Sequence, residues 1–403
     1  MKGSIFKRTY RSGRSVWCFE LDAGEDENGR RIRISQAGFA READADAELT
    51  RLKQEKTEGL LVRPSPRTFG EFMQEWLQEH AEQNCTPKTV ERYRQLAGYV
   101  LPQLGGVRLQ DISTLMLERL YNALRKSGGK RKRRRKAGEK EQPAPLSVKS
   151  VRNIAGLVHV ALETALRWKL LKVNPAHACE LPRWQKQEAR ALDPAQTEWY
   201  LDAARGGWLY PILLMGAATG ARRGELLALR WADLTLSTSP PVMRISRSLE
   251  QTRMGLRIKA PKNGKTRPLA LPAIAAEALA VHRQQQDEYR RQFGQDYRTD
   301  LDLVFATPEG DYLKPDSVTA KACLLARKCG LKGIGLHSLR HSHGSQLLAA
   351  GASLPTVSKR LGHSSVYVTA TVYSHSFSQD EVAAAELWNT AMQRAGEAQR
   401  VKQ

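Results

Sequence analysis

The sequence predicts a multi-domain chain that is mainly α with small β-sheets. An N-terminal β-sheet plus helix is followed by a helical middle part and an α+β C-terminal half. Three observations lead there. A chain of 403 residues is too long for one ordinary domain. Apolar residues recur at helical spacing through most of residues 67–183, whereas period-two alternation is confined to short runs near the start and in the last half. Proline-containing stretches around Pro64 and Pro66, and around Leu181 to Gln187, separate the parts.

In residues 1–62, Trp17, Phe19 and Leu21 alternate with Cys18 and Glu20, and Ile32 and Ile34 alternate with Arg31 and Arg33. Asn28-Gly29 between these runs is a hairpin signal. Ile5 to Tyr10 supplies a candidate third strand, and Ala40 to Glu58 reads as a helix with Ala45, Leu49 and Leu52 on one face. A small β-unit of this kind either presents a face to a DNA groove or is a structural extension.

Residues 67–183 read as four helices. Thr68 caps the first, which carries Phe69, Phe72, Met73 and Trp76. Thr86-Pro87 opens the second, with Val90, Tyr93, Leu96 and Val100, and Asp111 and Ser113 precede the third, with Leu115, Leu117, Leu120 and Leu124. Ser147 begins the fourth, with Val151, Ile154, Leu157, Val158 and Ala161, which ends near Asn174-Pro175. Between the third and fourth, residues 127–145 are rich in Gly, Lys and Arg and read as a basic loop.

Residues 188–390 mix helices with short strands, and 391–403 form a tail. Expected helices include Trp208 to Ala217, Arg223 to Trp231 and Ala273 to Phe293. Expected strands are Met243 to Ser246, Leu256 to Lys259 and Arg267 to Leu271, with Asn263-Gly264 at a turn between the last two.

Charge narrows the partner. The net excess of +22 is spread along the chain, as +2 over residues 1–66, +11 over 67–184 and +9 over the rest. Deleting the run Lys130 to Lys136 still leaves +15. A distributed positive field suits a long polyanion, so nucleic acid is the expected partner rather than a membrane surface. No apolar run is long enough to span a bilayer. The N-terminus MKGSIFKRTYR lacks an apolar signal region, and five cysteines without CxxC spacing suit a reducing cytoplasm. With no GxGxxG or P-loop, no nucleotide cofactor is expected.

Four clusters could carry chemistry. In TGARRGELLALRW, Arg222 sits at a helix start where a guanidinium and N–H groups could meet a phosphate oxygen, and Glu225 lies one turn on. In isolation an ordinary surface ion pair is the favoured reading. In LHSLRHSHGS, His337 and Arg340 share a helix face and could move a proton and neutralise an anion at one place. The nearby His341 and His343 lack a third ligand of suitable spacing, so no metal is expected there. Lys262 sits in the turn PKNGKTR, and His363 and Tyr373 lie in LGHSSVYVTATVYSH. Alone, Lys262 is a turn lysine and Tyr373 a packing residue.

Their order and spacing together closely resemble the tyrosine recombinase family, in its phage-integrase branch. The resemblance covers the C-terminal half most specifically, and the layout resembles integrases with a small arm-type β-domain (1–62), a helical core-binding domain (67–183) and a catalytic domain (188–390). It implies a DNA strand exchange without metal or cofactor. By residue, it implies that Arg222 and Arg340 clamp the phosphate, Lys262 is the hairpin lysine, His337 and His363 are the two active-site histidines, Glu225 is an acidic position that supports the active site, and Tyr373 is the nucleophile. Lys259 and Lys265 compete for the lysine role, and Tyr367 for the nucleophile. The implied partners are double-stranded DNA at attachment sites, a homotetramer on paired sites, a DNA-bending host protein and a directionality factor. The implied location is the bacterial cytoplasm, at the nucleoid. The alternatives are a type IB-like topoisomerase and a non-catalytic DNA-binding regulator.

Overall fold

The computed structural model describes residues 3–25, 29–130, 143–185, 190–261, 264–373, 386 and 388–393. The chain divides into two compact units, Met1–Gln185 and Lys186–Gln403. No described helix is long and apolar enough to cross a membrane.

The first unit opens with an antiparallel sheet in the order β1 (Gly3–Thr9), β2 (Ser15–Glu25), β3 (Arg31–Phe39). Helix α1 (Glu42–Thr57) buries Ala45, Leu49 and Leu52, as its periodicity predicts, with Leu49 and Leu52 packed with Phe19 and Leu21. The alternation of β2 is broken. A register shift between Trp17 and Cys18 leaves Trp17 half-buried and puts Cys18 inside. Of the predicted hairpin turn, Asn28 lies outside the described residues, and Gly29 has the left-handed backbone such a turn requires.

The helical part follows the cap signals closely. Thr68 and Glu71 form a reciprocal capping box at α2 (Phe69–Glu75), which runs into a π-helical turn (Trp76–Ala81) and α3 (Glu82–Asn84). Thr86 caps α4 (Pro87–Leu104), Ser113 caps α5 (Thr114–Ser127) and Ser147 caps α6 (Val148–Arg167). Each cap satisfies an N–H that would otherwise lack a partner, a contribution of about 1 kcal/mol. The apolar faces of these helices close on one core around Phe72, Trp76, Leu117 and Ile154. Leu115, expected on the apolar stripe of α5, is instead exposed. Two-residue strands β4 (Gly129–Lys130) and β5 (Pro143–Ala144) pair at the base of the basic loop. Residues 131–142 of that loop lie outside the described residues.

In the second unit, α7 (Pro194–Asp202) precedes α8 (Tyr210–Thr219), which ends at Gly220, and α9 (Arg223–Leu226). The amphipathic helix expected over Arg223 to Trp231 is therefore only a short helix. Leu227, Ala228 and Leu229 are buried, and the backbone turns aside to bond with the segment Asp302–Val304 (Trp231 N–H to Asp302 O 2.9 Å, Val304 N–H to Leu229 O 2.9 Å). Those cross-chain bonds replace the helical ones.

Strands β6 (Leu234–Thr235), β7 (Val242–Ile245) and β10 (Arg267–Ala270) form one sheet in the order β10-β7-β6. A separate ribbon pairs β8 (Ser248–Thr252) with β9 (Gly255–Lys259). The strands flanking the Pro261–Gly264 turn thus belong to different sheets, so the turn does not close the hairpin that Asn263-Gly264 predicts. β8, which the sequence pattern left out, takes the place of β10 as the partner of β9. The predicted helix Ala273 to Phe293 is α10 (Ala273–Phe293) with those bounds. Further helices are α11 (Pro315–Lys328), α12 (Leu336–Ala349), α13 (Leu354–Leu361) and α14 (Val366–Tyr373).

Candidate active site

The C-terminal end of α13 is the point on which the site is built. Three successive backbone carbonyls there accept from three different arginines. Arg267 Nε donates to Arg360 O at 3.2 Å, Arg340 Nη2 to Leu361 O at 2.8 Å, and Arg222 Nη2 to Gly362 O at 2.9 Å. A helix C-terminus carries partial negative charge and unpaired carbonyls, so it holds guanidinium groups well. Gly362 ends the helix with a left-handed backbone (φ 65°), and a Cβ there would lie 2.8 Å from the Arg267 guanidinium. Both facts require glycine.

Arg222 comes from the start of α9 and Arg340 from the middle of α12. Arg340 is buried and also donates to Gly220 O at 2.6 Å. Glu225 is buried beneath them. It accepts from the Arg222 backbone N–H (2.9 Å) and Nη1 (2.9 Å), and from Arg267 Nη1 (3.1 Å) and Nη2 (2.7 Å). Burial pushes this carboxyl up, but the hydrogen bonds and charge of Arg267, followed by those of Arg222, outweigh it and hold Glu225 below the usual range. One carboxylate therefore faces three guanidinium groups. Burial and the charge of Arg222 pull Arg340 down to about 10, still cationic at neutral pH. Such a cluster gains by receiving an anion, and each guanidinium carries five N–H donors, more than these bonds use.

Two histidines beside the cluster, His337 and His363, are pushed toward the neutral form. Burial, then Arg340 and Arg222, lowers His337. The same causes bring His363 to about 4. The His363 Nδ1 sits 2.8 Å from the hydroxyl of buried Thr369 on α14. His337 and His341 meet edge to face on α12 with ring centroids 4.6 Å apart, and the His341 ring lies 6.2 Å from that of Tyr373.

Tyr373 ends the described part of α14 with 4% exposure, packed with Val357 and Leu361 of α13. Its hydroxyl lies directly over Gly344 of α12, where a Cβ would be only 2.2 Å away. That glycine is one helical turn beyond Arg340, so its missing side chain is the space the phenol occupies. Burial raises Tyr373, and the charge of Arg340 partly opposes this. The competing Tyr367 is 77% exposed.

The structure thus brings Arg222, Glu225, His337, Arg340, His363 and Tyr373 to one region. Lys262 and Asn263 lie outside the described residues. Of the competing lysines, Lys259 is engaged by Glu250 across the β8–β9 ribbon, and Lys265 is exposed. Arg267, absent from the sequence-based candidates, is as central as any of them. Its only signal in the sequence is a basic residue opening a strand just after the lysine turn.

Two family models match the sequence. One, described as the phage integrase family, matches residues 187–380, and the other, the phage integrase N-terminal SAM-like domain, matches residues 68–125. A tyrosine recombinase XerC-like protein of Caldanaerobacter subterraneus is 24% identical over 400 residues, covering 94% of this chain and 97% of its own. An integrase of Streptomyces ambofaciens is 27% identical over 374 residues, 89% of each chain. In structure, the Tn1549 transposon integrase in complex with a circular intermediate DNA matches with a TM-score of 0.64 at 19% identity, covering 80% of this chain and 99% of that one. A lambda integrase dimer bound to a COC' core site matches with a TM-score of 0.54 at 15% identity, covering 91% and 94%.

Proposed function

The chain belongs to the phage integrase family of tyrosine recombinases, and from that premise we infer that it cuts and rejoins DNA at specific sites through a 3′-phosphotyrosyl intermediate to integrate or excise a mobile element. The observation that carries the reading is the gathering of Arg222 and Arg340 on consecutive carbonyls of one helix end, with His363 next in the chain and Tyr373 packed against the same helix.

In this reading the scissile phosphate sits on the donors of Arg222 and Arg340. Their charges neutralise its non-bridging oxygens and stabilise the more highly charged transition state. Glu225 and Arg267 hold Arg222 in place. His363 is neutral, so it can serve the phosphate only as an Nε2–H donor. The Thr369 hydroxyl selects that tautomer if its proton points to Nδ1. Tyr373 attacks phosphorus as its proton leaves with the help of His337, and the positive field of Arg340 favours the phenoxide. Lys262 protonates the departing deoxyribose 5′-oxygen, a poor leaving group without a proton. Attack by a 5′-hydroxyl of another strand then expels Tyr373 and reseals the DNA.

The partner is double-stranded DNA at attachment sites, for which a net charge of +22 is suited. Strand exchange between two duplexes calls for a homotetramer on paired sites, with a DNA-bending host protein and a directionality factor assisting, in the bacterial cytoplasm at the nucleoid. The test is a nicked suicide substrate bearing the direct repeat that flanks the element. A covalent adduct mapped to Tyr373 is expected. Binding to that DNA with no adduct would leave a DNA-binding regulator instead.

A further inference from the structure

We propose that His159, Glu163 and His177 of the first unit form a binding site for a divalent transition-metal ion, zinc above all, separate from the recombination chemistry. His159 and Glu163 stand four residues apart on α6 and so share one face. After α6 the chain turns through Asn174-Pro175 and brings His177 back over that face. There His177 Nε2 lies 2.9 Å from Glu163 Oε2, and the two imidazole rings are 5.0 Å apart. One ligand atom from each residue lies within 4.8 Å of the other two. Donors around a tetrahedral zinc stand about 3.3 Å apart, so small side-chain rotations close the set.

The surroundings match what a ligand set needs. Asn174, itself buried, donates from Nδ2 to Glu163 Oε2 at 2.8 Å and to His159 O at 3.2 Å, while its Oδ1 accepts from the Ala176 N–H at 2.9 Å. The carboxylate and the turn carrying His177 are thereby fixed from the side away from solvent. Both of these hydrogen bonds to Glu163 end on Oε2. His177 is exposed, so water completes the coordination. Two imidazoles and one carboxylate suit zinc and its neighbours, not magnesium or calcium. Binding exchanges the His177–Glu163 hydrogen bond for metal bonds and clips the segment after α6 to that helix, just ahead of the chain's passage to the second unit.

The test is calorimetric titration of the full-length, chelator-stripped chain with zinc sulfate near neutral pH. One zinc per chain is expected. Affinity should fall at least about tenfold in His177→Ala and in His159→Ala and stay unchanged in His80→Gln, a histidine elsewhere in the same unit. Acidification should weaken binding, because protons compete with the metal for the ligand nitrogens. Zinc should raise the melting temperature of the unaltered chain but not that of His177→Ala, whose exposed position makes folding failure no concern. No zinc bound by the unaltered chain, or binding indifferent to both histidine substitutions, overturns the proposal.

Discussion

Arg267 grips Glu225 with both ends of its guanidinium, Nη2 at 2.7 Å from Oε2 and Nη1 at 3.1 Å from Oε1. The same carboxylate holds Arg222 from the other side, so a strand residue sets the position of Arg222, the proposed phosphate clamp, without needing to touch it. Removing one partner of a buried ion pair is destabilising, and here Arg222 still pairs with Glu225, so the cost falls below that of a fully stranded charge. Arg267→Ala should therefore lower the urea-unfolding midpoint and slow DNA cleavage. Arg267→Lys should retain more stability than Ala but lose the two-pronged grip and much of the rate. Cleavage at the unaltered rate in a folded Arg267→Ala protein would remove Arg267 from the site.

Tyr373→Phe deletes one oxygen above Gly344 and leaves the packing with Val357 and Leu361 in place. DNA affinity and fold should persist while covalent adduct and recombination disappear. Tyr367→Phe, at an exposed position, should still form adduct. Peptide mapping of the trapped DNA to Tyr367 would reverse the assignment.

Lys262→Ala should be slow on ordinary DNA and largely rescued when the scissile bridging oxygen is replaced by sulfur, since a thiolate leaves without a proton. Lys259, held by Glu250, and Lys265 should show no such rescue when substituted. An equal defect of Lys262→Ala on both substrates gives that lysine another role.

Stability should fall on mild acidification, and His343 is one cause. Burial, then the charge of Arg360, brings its imidazole to about 4, although a hydrogen bond to the Ala217 backbone opposes this. Unfolded histidine titrates near ~6.5. Between these two values the unfolded chain binds the extra proton, so stability is full above about pH 6.5 and is lost as pH falls toward 4, by about 3 kcal/mol at most. Urea unfolding of the unaltered chain against His343→Gln across that window should show a shallower pH slope in the variant. Parallel slopes would exclude His343 as the source.

Deleting residues 1–62 should weaken recombination and leave cleavage of a core-site suicide substrate largely intact. The deletion costs the Glu55–Lys172 ion pair (2.8 Å), an exposed contact of small worth, and spares the core around Trp76 and Ile154. A truncated chain that cannot cleave core DNA would show that the β-sheet is integral to the helical part.

What the sequence by itself determined is what depends on near neighbours. Thr68, Thr86, Ser113 and Ser147 each cap a helix where a hydroxyl precedes an apolar periodic run, and α10 has the predicted bounds, because capping and amphipathicity act within a few residues. The motif order also made Arg222, Glu225, His337, Arg340, His363 and Tyr373 legible as a set. Tertiary structure alone decided the rest. The predicted helix after Arg223 stops early because residues 302–304 compete for its backbone, and β9 pairs with β8 instead of β10. Arg267 reaches Glu225 across 42 positions, and Arg222 reaches Gly362 across 140. No local periodicity encodes such pairs. They exist because packing the whole unit brings a helix end, a strand start and a buried carboxylate together, where each group lacks water and must find its partner in the chain.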